Sequence, residues 1–323
     1  MRYLIALIIV IGLAGCGSSP SSSAGSSSNP PMKNHVHSIV VMPSNPQDIY
    51  LGAHYHLYHS MDGGKKWSIL SNQMMLSLVM DPQQPSVFYS VSLQKGLEKS
   101  TNGARGWQLL KGGPAKGAAV GIIVSSDGKT VIAYGKGVYR STDGGSHWAK
   151  TLTHRSVYSG AFGSGETVYA ATDNGLYISN DDGMTWKEVK AIGSQPLLQV
   201  VADGNVAYAV TALGIERTAD DGATWTQLKK LPLGIEFIGV APSDPNDIVA
   251  EIGGKGFYAS YDGGQTWQKA NSGIHDRDFN ASTVRFAPST AQVAYTGAWG
   301  LDFYETTDGG HKWREVSVLK GGK

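Results

Sequence analysis

From Val36 onward the chain alternates short apolar stretches with polar turns, and the alternation repeats. Apolar segments ending in Pro, such as IVVMP, LVMDP and GVAP, are followed by polar turns such as SNPQD and SDPND. A second apolar segment comes next: IYLGA, VFYSV, TVIAY, TVYAA, VAYAV, DIVAE or VAYTG. A shorter LYHS-like or LYIS-like segment then leads into a Gly-rich turn that ends on Trp. Runs of this length, rich in β-branched and aromatic residues and bounded by turn residues, predict strands. Each unit predicts four: one before the Pro-type turn, one after it, one entering the Gly-rich turn and one leaving it.

The Gly-rich turn fixes the number of units. SMDGGKKW (60–67) recurs as STNGARGW (100–107), STDGGSHW (141–148), SNDDGMTW (179–186), TADDGATW (218–225), SYDGGQTW (260–267) and TTDGGHKW (306–313). Seven of the eight tryptophans close such a box, at spacings of 40, 41, 38, 39, 42 and 46 residues. The third-position Asp can accept hydrogen bonds from its own turn, and a fifth-position Gly relieves a positive φ. About forty residues and four strands per repeat predict a propeller. The expected fold is all-β, a seven-bladed propeller of four-stranded antiparallel blades over 35–323. No strand is visibly shared to latch the ring, so closure is expected to rest on blade 1 packing against blade 7. An additional N-terminal strand from around Met32 stays open.

These boxes resemble the Asp-box, or sialidase-type BNR, repeat, and the resemblance covers Val36 to about Val318. It implies that each box joins the third and fourth strands of a blade and lies away from the ligand face. Asp62, Asn102, Asp143, Asp181, Asp220, Asp262 and Asp308 are then scaffold, as are Trp67, Trp107, Trp148, Trp186, Trp225, Trp267 and Trp313. The second box departs from the pattern with Asn102 and Ala104, and its turn is expected to be the least ordered.

Composition agrees with a turn-rich β-protein: 42 glycines, 41% hydrophobic and 16% charged residues. A net charge of +1 gives no electrostatic case for nucleic acid. Residues 1–16 read as a signal, with Arg2 followed by an apolar run, Tyr3 to Leu13, too short to span a bilayer. The sequence Leu13-Ala14-Gly15-Cys16 resembles a bacterial lipobox, which implies lipidation of Cys16, a membrane anchor and an extracytoplasmic location. Residues 17–34, rich in Ser, Gly and Pro, predict a flexible tether with a reach of roughly 23 Å by the coil relation. Cys16 is the only cysteine, so the mature domain has no disulfide and is held by its core.

Five of the nine histidines fall in His35–Trp67. His35 and His37 stand at the entry to the first strand, and their i, i+2 spacing places them on one side. His54 and His56 stand in the turn between strands two and three. The first two strands are antiparallel neighbours, so all four are expected to converge on one rim of blade 1; His59 lies farther out. Four residues before their boxes, other repeats carry Gly96, Gly137, Gly175, Gly214 and Gly256, where blade 1 has His56 and blade 7 has Asp302. Broken local rules gather at functional sites. The loop His275-Asp276-Arg277-Asp278 and the connection holding Met74 and Met75 face the same rim. Imidazoles there suit a transition metal, and thioethers favour copper over zinc. Three readings stay open: a bound copper or zinc ion, contact with another ligand, or a solvated polar rim. His35, His37 and His54 also match a pattern similar to secreted bacterial propellers loosely labelled glycosyl hydrolases.

A sialidase-like site needs three arginines on a carboxylate. Of eight arginines, Arg2 is in the signal, and Arg105, Arg140, Arg217 and Arg314 lie in or beside boxes. Arg155, Arg277 and Arg285 remain, on opposite blades. Other glycosidases need two carboxylates; Glu236 aligns with His37 and Asp278 lies in the blade 7 loop, with Asp173, Asp276 and Asp302 on the same rim. The sequence singles out no pair, and no phosphate loop is present. The expected role is a monomeric binding or assembly module with a protein or glycan ligand, and a glycosidase at the channel mouth is the alternative. The overall plan also resembles cyanobacterial photosystem II assembly lipoproteins and sortilin-like propellers.

Overall fold

The structure is a computed structural model, and it describes residues 35–228, 231–279, 283–298 and 302–318. These lie within one compact unit, Asn34–Lys323. Cys16, the tether 17–34 and a strand from Met32 lie outside the described residues, as does the Arg277 side chain.

Seven four-stranded antiparallel sheets follow one another along the chain. Blade 1 is typical: Val36–Met42, Asn45–Ala53, Leu57–Ser60 and Ser68–Ser71, paired in chain order. Each first strand touches the first strands of both neighbouring blades, so the seven first strands form the innermost wall. Side chains tie that wall together. Ser38 Oγ donates to the Leu78 carbonyl at 3.1 Å and accepts from the Leu78 N–H at 3.2 Å. Ser159 does the same to Val200, and the Gln199 amide does it to Ile238. A polar residue facing the next blade thus satisfies backbone groups that a strand edge would leave open.

Seven apolar clusters fill the seven blade junctions. One joins Phe257, Phe286, Tyr304 and Trp313 across blades 6 and 7; another joins Val36, Leu51, Tyr295 and Phe303 across blades 7 and 1. Burial between sheets, not disulfide chemistry, supplies the core. Among the described residues no strand crosses from one terminal blade into the other sheet. Closure is by packing and by hydrogen bonds: Trp67 Nε1 donates to Ser317 Oγ at 3.0 Å, Ser317 Oγ donates to the Gly64 carbonyl at 2.7 Å, and the Tyr295 hydroxyl donates to the Pro46 carbonyl at 3.0 Å.

The seven boxes share one bonding scheme. The first-position hydroxyl donates to the third-position carboxylate, as from Ser60 to Asp62 at 2.9 Å. The N–H four residues past the acceptor donates back to the same oxygen, as from Lys66 at 2.9 Å. In the fourth box the hydroxyl and N–H of Thr185 hold the Asp181 carboxyl down to about 2. The second box is closed in the same way, not loosened. Asn102 Oδ1 accepts from Ser100 Oγ and from the Gly106 N–H at 2.9 Å each, and Ala104 takes the left-handed conformation at φ 61° with no exposed surface. An amide oxygen serves because the turn needs an acceptor and not a charge.

Candidate functional site

The box turns bond to the turns between strands one and two, as the Gly63 N–H does to the Gln47 carbonyl. The strand two-to-three turns and the connections between blades therefore lie on the opposite face. On that face the first strands carry a recurring irregularity. In blade 1, Val36 pairs with Ala53 and Ser38 with Gly52, which leaves His37 as the extra residue of a β-bulge. The same skip isolates Leu76, Val120, Tyr158, Leu198 and Glu236 in blades 2 to 6. A bulge re-aims its side chain. Here it sets a collar of side chains around the channel mouth, apolar or aromatic except at His37 and Glu236.

Three of the predicted histidines meet at that collar. The His54 N–H donates to the His35 carbonyl at 3.1 Å, which fastens the strand two-to-three turn to the entry of strand one. The ring centroids lie 4.3 Å apart for His35 and His37, 5.2 Å for His35 and His54, and 5.9 Å for His37 and His54. One nitrogen from each lies within 4.8 Å of the other two. His37 Nε2 is buried and has no hydrogen-bond partner. Burial, followed by the neighbouring His35 and His54, pushes the His37 imidazole down to about 3; burial and His35 also lower His54. Rings held neutral offer lone pairs, and a metal binds the neutral form.

His56 does not join them. Its Nδ1 lies 3.0 Å from Asn72 Oδ1 and its ring meets Tyr58 edge-on. The four-residue turn of blade 1, closed by the Ala53 N–H on the His56 carbonyl, turns it outward. Glycines 96, 137, 175, 214 and 256 all have positive φ, as their register predicts, whereas His56 is not among the residues that do. Met74 and Met75 are buried, at 4% and 0% exposure, and do not line the rim. Met75 Sδ accepts from Ser90 Oγ at 2.7 Å within blade 2, and the Met75 side chain packs in the cluster between blades 1 and 2. The thioether argument for copper therefore falls, leaving a donor set of imidazoles alone.

The blade 7 residues are also more enclosed than expected. Asp276 is exposed in a one-turn helix, Asp276–Asp278, but Asp278 is 2% exposed and accepts from the Tyr304 hydroxyl. Asp302 is buried at the start of strand Asp302–Thr306. Asp278 and Asp302 are thus packed under the rim, not presented on it. Glu236, by contrast, is exposed at the collar, and partial desolvation raises its carboxyl. Beside it is a group that sequence reasoning missed. Glu251 has no exposed surface, and neither carboxylate oxygen has a hydrogen-bond partner. Burial, then Glu236, pushes it up to about 9. Its signal was a single acid inside the apolar run IVAEI.

Comparison with known proteins bears on the repeat and the ring. The family model described as BNR/Asp-box repeat matches residues 258–269, around the sixth box. A probable oligoxyloglucan-reducing end-specific xyloglucanase of Neosartorya fischeri is 31% identical over 157 residues, covering 41% of this chain and 19% of that protein. An ancestral GH74 enzyme superposes with TM-score 0.70 at 19% identity, over 91% of this chain and 48% of that one. The structure described as YCF48 bound to D1 peptide superposes with TM-score 0.66 at 16% identity, over 86% and 94%. YCF48 from Cyanidioschyzon merolae does so with TM-score 0.61 at 15% identity, over 85% and 96%. The chain spans about a fifth of the curated xyloglucanase and about half of the GH74 enzyme. At these identities the solved structures share the fold. With seven boxes of one bonding scheme and seven four-stranded sheets, the chain is a seven-bladed β-propeller, and its sixth box matches the BNR/Asp-box repeat.

Proposed function

We propose that this chain is a lipid-anchored, extracytoplasmic binding module, and that His35, His37 and His54 hold a transition metal at the mouth of its channel. The observation that carries this reading is the buried, unpartnered Nε2 of His37 inside a cluster of three imidazoles. A buried polar atom without a partner costs about 1–3 kcal/mol, and a metal ion would offset that cost. Nitrogens bound tetrahedrally at about 2.0–2.1 Å from zinc stand about 3.4 Å apart. Side-chain movements on the order of 1 Å would close the cluster on an ion. Zinc suits three imidazoles with one position open, and copper(II) suits them as well. The open position faces the mouth, where a protein or glycan ligand would arrive.

Zinc or copper titration of the purified protein should show one tight equivalent, lost in His37→Ala and in His54→Ala but kept in His56→Ala. Absence of uptake, or equal loss in His56→Ala, removes the metal. The anchor is tested separately, since Cys16→Ser should release the protein from membranes. A second reading, a glycosidase at the channel mouth, is favoured by the 31% identity to part of a xyloglucanase. Turnover of xyloglucan oligosaccharides that disappears in Glu236→Gln would replace the binding reading with this one.

A further inference from the structure

Halfway down the innermost wall, each blade offers the next junction one residue at the same register. Val40, Val79, Ala161 and Val201 pair with Tyr50, Tyr89, Tyr169 and Tyr208; Ile123 and Gly239 hold the same place in blades 3 and 6. These six are apolar or lack a side chain. In blade 7 the position, paired with Tyr295, is Arg285. Its strand neighbours Val284 and Phe286 are buried at 2% and 5% exposure, whereas Arg285 is exposed. Its strand is covered on both sides by the first strands of blades 6 and 1, so its exposed surface opens into the channel, where the surrounding protein still desolvates the guanidinium.

Among the described residues no hydrogen bond or ion pair is formed by the Arg285 guanidinium; burial lowers its basicity, and the phenol of Tyr134, in blade 3 on the far side of the ring, offsets part of that. Tyr134 belongs to the second strand of its blade but reaches through the wall. Gly121 makes the opening: a Cβ there would lie 2.1 Å from Tyr134 Cζ and 2.2 Å from its hydroxyl oxygen. Gly160, in the next blade, borders the same ring, a Cβ there falling 3.2 Å from Cδ1. Arg285 thus stands at the inner wall where five other first strands carry an aliphatic residue, and the Tyr134 ring reaches the same wall from blade 3.

We infer that the channel waist is an oxyanion site, with the Arg285 guanidinium as its cationic clamp and the Tyr134 hydroxyl as a second donor. A guanidinium fork matches the two oxygens of a carboxylate or a phosphate, and a desolvated charge is retained where a partner of opposite sign completes it. The ligand is a small carboxylate or inorganic phosphate, or a larger molecule that inserts such a group. The site is separate from the histidines and does not depend on a bound metal.

The test uses the full chain, with thermal midpoints and calorimetric titration in acetate, in inorganic phosphate and in chloride at equal ionic strength. Acetate or phosphate should raise the midpoint above its value in chloride, because a ligand bound to the native state stabilises it. Arg285→Gln should abolish that anion-specific rise, and Tyr134→Phe should weaken the dissociation constant about tenfold, as expected for loss of one hydrogen bond to a charged group. Arg285→Lys, which keeps the charge and folds if Gln does not, should lose most of the affinity along with the fork. The preferred anion distinguishes a carboxylate from a phosphate source. Equal midpoints in the three salts, or an undiminished rise in Arg285→Gln or Arg285→Lys, would overturn the inference.

Discussion

Replacing Glu251 by Gln should stabilise this protein, and by an amount that grows with pH. The register places Phe237 and Phe257 on either side of Glu251, on the face of blade 6 that packs against blade 7. The carboxyl has no exposed surface and no hydrogen bond, and its titration is pushed from 4.5 up to about 9. The native state therefore keeps a proton that the unfolded chain releases above pH 4.5. Where the native state binds more protons, stability falls as pH rises. That loss begins near the unfolded value and is complete once pH passes the folded one. Each pH step between them costs about 1.4 kcal/mol, so the charge on the unfolded chain withdraws about 3 kcal/mol by pH 7. Gln has nearly the same shape and does not titrate. The variant should match the wild type near pH 4.5 and exceed it by about 3 kcal/mol at pH 7, or roughly 6–12 °C in midpoint for a domain of this size. Urea unfolding followed by tryptophan fluorescence at pH 5, 6, 7 and 8 reads this directly. A difference between variant and wild type that stays constant across that range would refute the buried, uncompensated carboxyl.

Two further expectations concern the ring itself. Ser317→Ala removes the hydroxyl that bridges Trp67 Nε1 and the Gly64 carbonyl across the closing junction; it should cost about 1–3 kcal/mol in chemical denaturation, with limited proteolysis opening first at blade 1 or blade 7. Gly121→Ala places a methyl within 2.2 Å of the Tyr134 ring and hydroxyl, so the phenol must leave the channel wall; destabilisation of about 1–3 kcal/mol is expected in the same assay, and Tyr134→Ala in the Gly121→Ala background should recover part of it.

The ring was legible because its information is local and repeated seven times. A hydroxyl, an acceptor two residues on, glycine where φ is positive and a closing tryptophan specify one hairpin without reference to the rest of the chain. The repeat length then fixes the sheet. Even the Asn102 variant obeys, since its oxygen accepts the same bonds. Expecting that turn to be loose came from judging it by residue type at 102 and 104, whereas the turn requires only an acceptor and a left-handed residue. The misplaced methionines have a similar origin. Met75 sits in a connection by sequence but enters strand Met75–Asp81, where the absent side chain of Gly52 leaves room for it; a Cβ on Gly52 would lie 3.1 Å from Met75 Cβ.

The functional face was only half legible, because what aims its side chains is not periodic. Alternation along strand one places His35 and His37 together, yet it is a skipped pairing that frees His37 as the extra residue. That skip depends on how the second strand meets the first, a non-local matter, and it recurs in blades 1 to 6 whatever residue occupies it. The collar is therefore a property of the backbone, and its chemistry is decided blade by blade through single substitutions: an imidazole at 37, a carboxylate at 236 and aliphatic or aromatic groups between them. The same logic operates deeper in the channel, where one arginine replaces an apolar residue in a row of seven. A propeller of this kind can thus change what it recognises without changing a strand. On the proposed reading, the residues that would set function are the ones that depart from their own repeat at the inner wall, while departures elsewhere, such as Asn102 and Ala104, are absorbed by the turn.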